Sequence, residues 1–405
     1  MTDSGQRLSL RSKLVLVAIV IVACELVAYA GLWLLPRVTS SRATRRAAIF
    51  AHQSAQLTEY LADSTRRDRV HPELGWIVRP GFKREGEVIN AQGLRNLHEY
   101  APQPAPGVLR VAAFGDSFVY GSDVDTKDSW PTQTEQLYPQ LEMLNYGTGG
   151  YGDDQAYIRY RREGADFSPT VVVLGFTPDD LRRLTNRYRK FIDDREFPWS
   201  KPRFVLEPSG DLRMIPPPMP DSAAQARVAR DPRIVLSWGE HEQWFYPVIY
   251  RNPLYDYSAT VRFMSFLGVR IYEKSFDKNR LFAGGQFNAS AEAFALQVAI
   301  TKRFTDDVRR AGQRPFFIML PDFPSVMRAR DERVVMYQNL VDTLRTRGVE
   351  IIDPLPALVA ESKVVADPAE LFTAGGHYAP RANTAVARFI GRQILDRTST
   401  QAAMR

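Results

Sequence analysis

From residue 108 onward, short apolar runs recur between longer amphipathic stretches, and few folds accommodate that alternation. The runs are 108–114, 141–145, 171–175, 316–320 and 349–353. A strand that reads apolar on both faces belongs in a sheet covered on both sides. The stretches between them have helical period. In 290–311, Leu296, Ile300, Phe304 and Val308 recur every four residues, and in 381–396, Val386, Phe389, Ile390 and Ile394 share a face. Strands alternating with helices make the sheet parallel. The expected fold class is therefore α/β: a three-layer α/β/α domain on a five-stranded parallel sheet. In such sheets the chemistry sits beyond the carboxyl ends of the strands.

The N-terminal third reads differently. Leu14 to Leu35 is apolar except for Glu25, and at ~1.5 Å per residue it spans roughly 33 Å, enough to cross a hydrocarbon core. Arg7, Arg11 and Lys13 precede it, and Arg37, Arg42, Arg45 and Arg46 follow, so flanking charge alone leaves the orientation open. A large body behind a first span favours a cytoplasmic N-terminus and an exported domain, periplasmic or extracellular. Ile21-Val22-Ala23-Cys24 resembles a lipobox, but the chain stays apolar to Leu35 where a lipoprotein turns polar. An uncleaved single-pass anchor is the expectation, with Glu25 neutralised or partnered. The organisation expected is a basic cytoplasmic segment 1–13, an anchor 14–35, a helical stalk 36–70, a lead-in 71–107, the α/β domain 108–397 and a disordered tail 398–405. Within the domain, 186–289 is an insertion, far longer than an ordinary connection.

Composition excludes several classes. The single Cys24 forbids an intrachain disulfide and a Cys-based zinc module. The five histidines, at 52, 71, 98, 241 and 377, show no metal-ligand spacing, so no metal and no cofactor is expected. With 53 Lys+Arg against 46 Asp+Glu the chain carries +7. That excess suits nucleic acid, an anionic membrane or an acidic polymer equally. No basic helix with interleaved aromatics occurs, so nucleic acid is not an expected partner.

The unusual residues lie at the predicted strand ends. The first strand runs into Phe114-Gly115-Asp116-Ser117. A Ser just past a strand end, opening a helix, has its hydroxyl at the sheet's rim and its N–H at a helix N-terminus, which suits a nucleophile whose intermediate is an oxyanion. The second strand ends in Asn145-Tyr146-Gly147-Thr148-Gly149-Gly150, a turn that lets backbone N–H groups approach a ligand. The third ends in Thr177-Pro178-Asp179-Asp180, and Gly375-Gly376-His377 puts a His on a loop before the last helix. Alone, each has an ordinary explanation: a turn tripeptide, a helix cap, a solvated loop. Their order and placement together make the case.

In that order the blocks resemble those of the SGNH (GDSL-type) hydrolase family, in particular its membrane-anchored bacterial members. The resemblance runs from His71 to about Ile394, including a lead-in at His71-Pro72-Glu73-Leu74-Gly75-Trp76 and Ile89-Asn90-Ala91-Gln92-Gly93-Leu94-Arg95. It implies a flavodoxin-like sheet, Ser117 as nucleophile, His377 as base and the N–H groups of Ser117 and Gly150 as oxyanion donors. Asp116, Asn145 and Asp180 would be supporting residues, and Gln155 follows the second block. Two positions depart from the pattern. Asp179 stands where the family has an oxyanion-hole Asn, and a carboxyl there donates only when protonated. Ala374 stands where the triad Asp is expected, three residues before His377. Asp367, Glu370, Asp353 and Asp322 are candidate replacements, with a backbone carbonyl as another way to orient the ring.

The resemblance implies an esterase acting on acyl esters of an envelope glycan or polysaccharide. The alternatives are a polysaccharide O-acyltransferase using the same site, or a glycan-binding or assembly protein on a degenerate scaffold. The insertion is rich in aromatics, with Trp199, Trp238, Trp244-Phe245-Tyr246, Tyr250, Tyr255 and Tyr257. They are expected mainly in a subdomain core, and Arg182, Arg183, Arg187 and Arg189 in solvent.

Overall fold

The computed structural model describes residues 9–38 and 43–403. Its centre is a five-stranded parallel sheet of β1 (Leu109–Phe114), β2 (Leu141–Asn145), β3 (Val171–Phe176), β4 (Arg314–Met319) and β5 (Ile351–Ile352). The strand order is β5-β4-β3-β1-β2, a switch point at β1 and β3. Ala112 lies opposite Leu144 on one side and Val172 on the other. These residues are wholly buried, as are Val111, Ala113 and Phe114, so the absence of polar alternation reflects cover on both faces. The edge strand β5 is shorter than expected. Asp353 turns back to accept the Leu355 N–H at 3.0 Å, and Pro354 starts a helix there.

The helices that matter for the site are α1 (Leu10–Val38), α2 (Arg46–Ala62), α3 (Ser117–Tyr120), α4 (Trp130–Leu137), α5 (Asp153–Glu163), α6 (Ala259–Ile271), α7 (Glu292–Arg310) and α8 (Pro380–Ala403). α5 packs with α7 over the sheet, and α4 packs with α8. Leu296, Ile300, Phe304 and Val308 are all buried, as are Val386, Ile390 and Ile394. The helical backbone of α8 continues through residues 398–403, where a disordered tail is expected.

α1 is the one helix among the described residues long and apolar enough to cross a membrane. Residues 1–8 of the basic N-terminal segment lie outside the described residues. Within the expected stalk, α2 is helical and packs against the body. Its Leu57 joins an apolar cluster with Tyr188, Phe191, Phe245 and Tyr250, and the Tyr188 hydroxyl donates to Gln53 at 2.5 Å. Most aromatics of the insertion thus form a core of their own, closed by α2, while Trp199 packs against the main core and Tyr257 is exposed. Of the arginines beside the insertion's core, Arg183 and Arg189 are buried, paired with Asp179 and Glu196, while Arg182 and Arg187 stay partly exposed, Arg182 paired with Asp179 and Arg187 donating to Pro216 O.

Candidate active site

β1 delivers its last residues straight into α3. Gly115 sits where a Cβ would lie 2.7 Å from the Gly175 carbonyl of the neighbouring strand, so only glycine lets the chain turn here. Asp116 caps α3 through Oδ1, which accepts the Phe118 N–H at 2.8 Å. Its Oδ2 accepts the Ser117 hydroxyl at 3.3 Å and Arg183 Nη1 at 3.3 Å. Ser117 is buried at this rim.

His377 comes from the loop before α8. Its ring lies 5.2 Å from that of Phe118, the residue after Ser117. No hydrogen bond among the described residues joins Ser117 to His377. The other side of the ring is occupied: Nδ1 lies 2.6 Å from Asp123 Oδ2. Asp123 sits beyond α3 with φ +66°, a conformation Asp tolerates better than most residues. Arg95 of the lead-in fixes this loop by donating to the carbonyls of Tyr120 at 2.9 Å and Val124 at 2.6 Å. The Thr373 hydroxyl also donates to Asp123 Oδ2, at 2.9 Å. A side chain at Gly375 would occupy the space of the Asp123 carboxylate.

The acid facing His377 is therefore none of the expected candidates. Asp367 caps Ala369, Asp353 accepts from Tyr337 and Leu355, Asp322 caps Ser325, and Glu370 is exposed. Burial pushes the Asp123 carboxyl up, but the hydrogen bond and charge of His377 outweigh it and hold it below the usual range. An ionised Asp123 accepts a proton from Nδ1, so in the neutral ring Nε2 is the nitrogen free to act as base. A depressed carboxyl stabilises the fold above its unfolded value and ceases to as pH falls towards the folded one. The difference in thermal midpoint between the native chain and Asp123→Asn is accordingly full above about pH 4 and closes as the pH drops further, which thermal scans across pH will read.

The second strand end supplies donors. Asn145 Oδ1 accepts the Gly147 N–H at 3.0 Å while its amide donates to Tyr120 O at 3.3 Å, tying this turn to α3. Gly150 has φ +80°. Among the described residues the N–H groups of Ser117 and Gly150 have no hydrogen-bond acceptor. Gln155 anchors the turn to the lead-in through Leu74 O at 2.7 Å.

The third strand end is a buried charge cluster. Burial pushes Asp179 up, but Arg183 and Arg182 outweigh it and hold its carboxyl at about 2. Asp179 is thus an acceptor at neutral pH, because the two guanidiniums stabilise its charged form. Asp180 accepts Arg183 Nη1 at 2.6 Å and the Thr177 N–H at 3.2 Å. Burial raises the carboxyl groups of Asp180, Asp153 and Asp116. One guanidinium, Arg183, therefore serves Asp116, Asp179 and Asp180 together. Removing one partner from a buried ionic network leaves the others uncompensated, so Arg183→Met lowers stability by about 3–5 kcal/mol, to be read as a lower denaturation midpoint.

Sequence reasoning brought Ser117, Gly150, Asp116, Asn145 and Asp180 to the correct strand ends but missed Asp123 and Arg95. The signal for Asp123 was an acid in a Gly-Ser-Asp turn, spatially near but 254 positions from the ring it meets.

The sequence matches no family model, and no curated protein matches it. Among solved structures the chain is similar to a member of the lipolytic protein G-D-S-L family from Veillonella parvula DSM 2008, at 9% identity and TM-score 0.33 over 69% of this chain and 95% of that one. It is similar to the lipase/acylhydrolase from Enterococcus faecalis, at 13% and 0.33 over 72% and 97%. A third is a catalytic mutant of an acetylxylan esterase from Geobacillus stearothermophilus, at 11% and 0.35 over 71% and 94%. At this level the likenesses carry no inference about residues or substrate. The fold itself is the five-stranded parallel sheet packed by helices.

Proposed function

We propose that this chain is a membrane-anchored serine esterase of the SGNH type, acting on acyl esters of an envelope glycan. The observation that carries the reading is the 2.6 Å pairing of His377 Nδ1 with Asp123, on a loop beside the helix that opens with Ser117. A Ser, a His with one nitrogen fixed by a carboxylate, and unused N–H groups at the same rim are the parts of acyl transfer. The Ser117 hydroxyl rotates from Asp116 to His377 Nε2, which takes its proton as Oγ attacks the ester carbonyl. The N–H groups of Ser117 and Gly150 hold the oxyanion. As the tetrahedral intermediate collapses, the C–O bond to the alcohol breaks and His377 returns the proton to that alcohol. Water, activated by the same imidazole, then frees the acid.

Asp179 contributes no donor in this scheme. An apolar cavity of about 450 Å³ opens beside it, between Pro178, Leu281, Phe282 and Met336, with room for a short acyl chain. A sugar hydroxyl in place of water turns the same cycle into transfer. The test is acyl release from O-acetylated polysaccharide and from a simple aryl ester by the purified full chain. Free acid from both supports the esterase, and an acylated acceptor sugar identifies a transferase. No turnover of either by folded protein contradicts the reading.

A further inference from the structure

Helix α6 buries Ala259 and Val269 but also leaves an apolar stripe uncovered. Its buried positions include Arg262 and Ser265, whereas Met264, Leu267 and Ile271, one stripe at three- and four-residue spacing, are exposed, Met264 at 58% and Ile271 at 49%. A helix on a water-facing surface turns its apolar stripe inward. Tyr272 and Phe276 prolong the stripe beyond the helix end, Phe276 at 69% exposure.

This helix lies along α1. Glu25, the one charged residue of the apolar run, meets the start of α6: the hydroxyl of Ser258, the N-cap, donates to its carboxylate, and the Ala259 N–H donates to Oε2 at 2.7 Å. Six residues further along α1, a Cβ on Gly31 would lie 3.2 Å from the Phe263 ring. The contacts advance together, so the two helices run parallel, with α6 beside the C-terminal half of α1. A carboxylate within an apolar span is costly unless partnered, and a helix start carries N–H groups in need of acceptors. Each satisfies the other. At the same end Arg46 pairs with Asp256 at 3.0 Å.

We propose that α6 is a second membrane element, seated in the hydrocarbon layer against α1 with Met264, Leu267 and Ile271 facing lipid acyl chains. The occupant follows from continuity: the exposed surface of α1 next to it is itself apolar, including Val27, Trp33 and Leu34. The proposal rests on the reading of α1 as a membrane span. Its seat brings to the bilayer surface a cavity of about 720 Å³ that α6 walls with Phe266 and Val269 and that reaches Arg182, the partner of Asp179.

The experiment uses the full chain with Cys24→Ser in phosphatidylcholine vesicles and one new cysteine at a time. Met264→Cys and Ile271→Cys probe α6, Val27→Cys probes α1, and Ser209→Cys marks an exposed turn of the body. Each carries a nitrobenzoxadiazole label, challenged with lipids bearing a nitroxide on the acyl chain. The expected result is loss of emission at 264 and 271 matching that at 27, with none at 209. Quenching at 27 but not at 264 or 271 overturns the proposal and leaves the anchor standing. No quenching at 27 overturns the anchor and the proposal with it. Shielding of 264 from lipid together with cross-linking between chains also overturns it, in favour of a second copy.

Discussion

Ser117→Ala lowers ester turnover by roughly 10⁴-fold or more while leaving the chain folded. The size of the loss follows from the chemistry. Without Oγ no acyl-enzyme forms, and only binding and the oxyanion donors remain to help water. The fold is spared because the hydroxyl makes one hydrogen bond, at 3.3 Å to Asp116. That bond is worth about 1 kcal/mol, and α3 keeps its cap through Asp116 Oδ1 and the Phe118 N–H. Turnover of an aryl ester together with the thermal midpoint separates the two effects. A variant that folds and retains activity refutes the assignment of Ser117.

Asp123→Asn is the second large effect, and the more discriminating one. The carboxylate holds the proton on Nδ1 and stabilises the imidazolium that forms when Ser117 is deprotonated. An amide keeps the shape but loses the charge and admits the wrong tautomer. In a serine triad that exchange costs on the order of 10⁴ in rate. The effect should appear in kcat with little change in KM, because Asp123 acts through His377. The companion variant is Ala374→Asp, which places an acid where the family pattern has one. With the ring nitrogen already engaged at 2.6 Å by Asp123, it brings no gain in the native chain. A large gain there, with Asp123→Asn silent, would show that the ring lacks its partner in solution.

Legibility in the sequence tracked the range of the interactions involved. The sheet was readable because burial on both faces forces continuous apolar runs, and β1 to β4 lie within two residues of where those runs fall. The placement of Ser117, Asn145 and Gly150 was readable because position at a strand end is set by local sequence. Asp123 was not, since its meeting with His377 depends on Arg95 gripping one loop and Gly375 making room on another. The packing of the stalk helix was not legible for a related reason. The apolar stripe of α2 is weak by itself, and only the insertion more than a hundred residues later supplies the surface that buries Leu57. Asp179 illustrates the electrostatic case: an acid in place of an amide reads as a loss until two arginines fold against it.

The most direct test of the account is covalent labelling of the full chain by a fluorophosphonate, with the adduct located by peptide mass spectrometry. The account predicts one adduct, on Ser117, formed by the native chain and lost in Ser117→Ala and His377→Ala. Folded native protein that stays unlabelled, or is labelled equally well without His377, would contradict it.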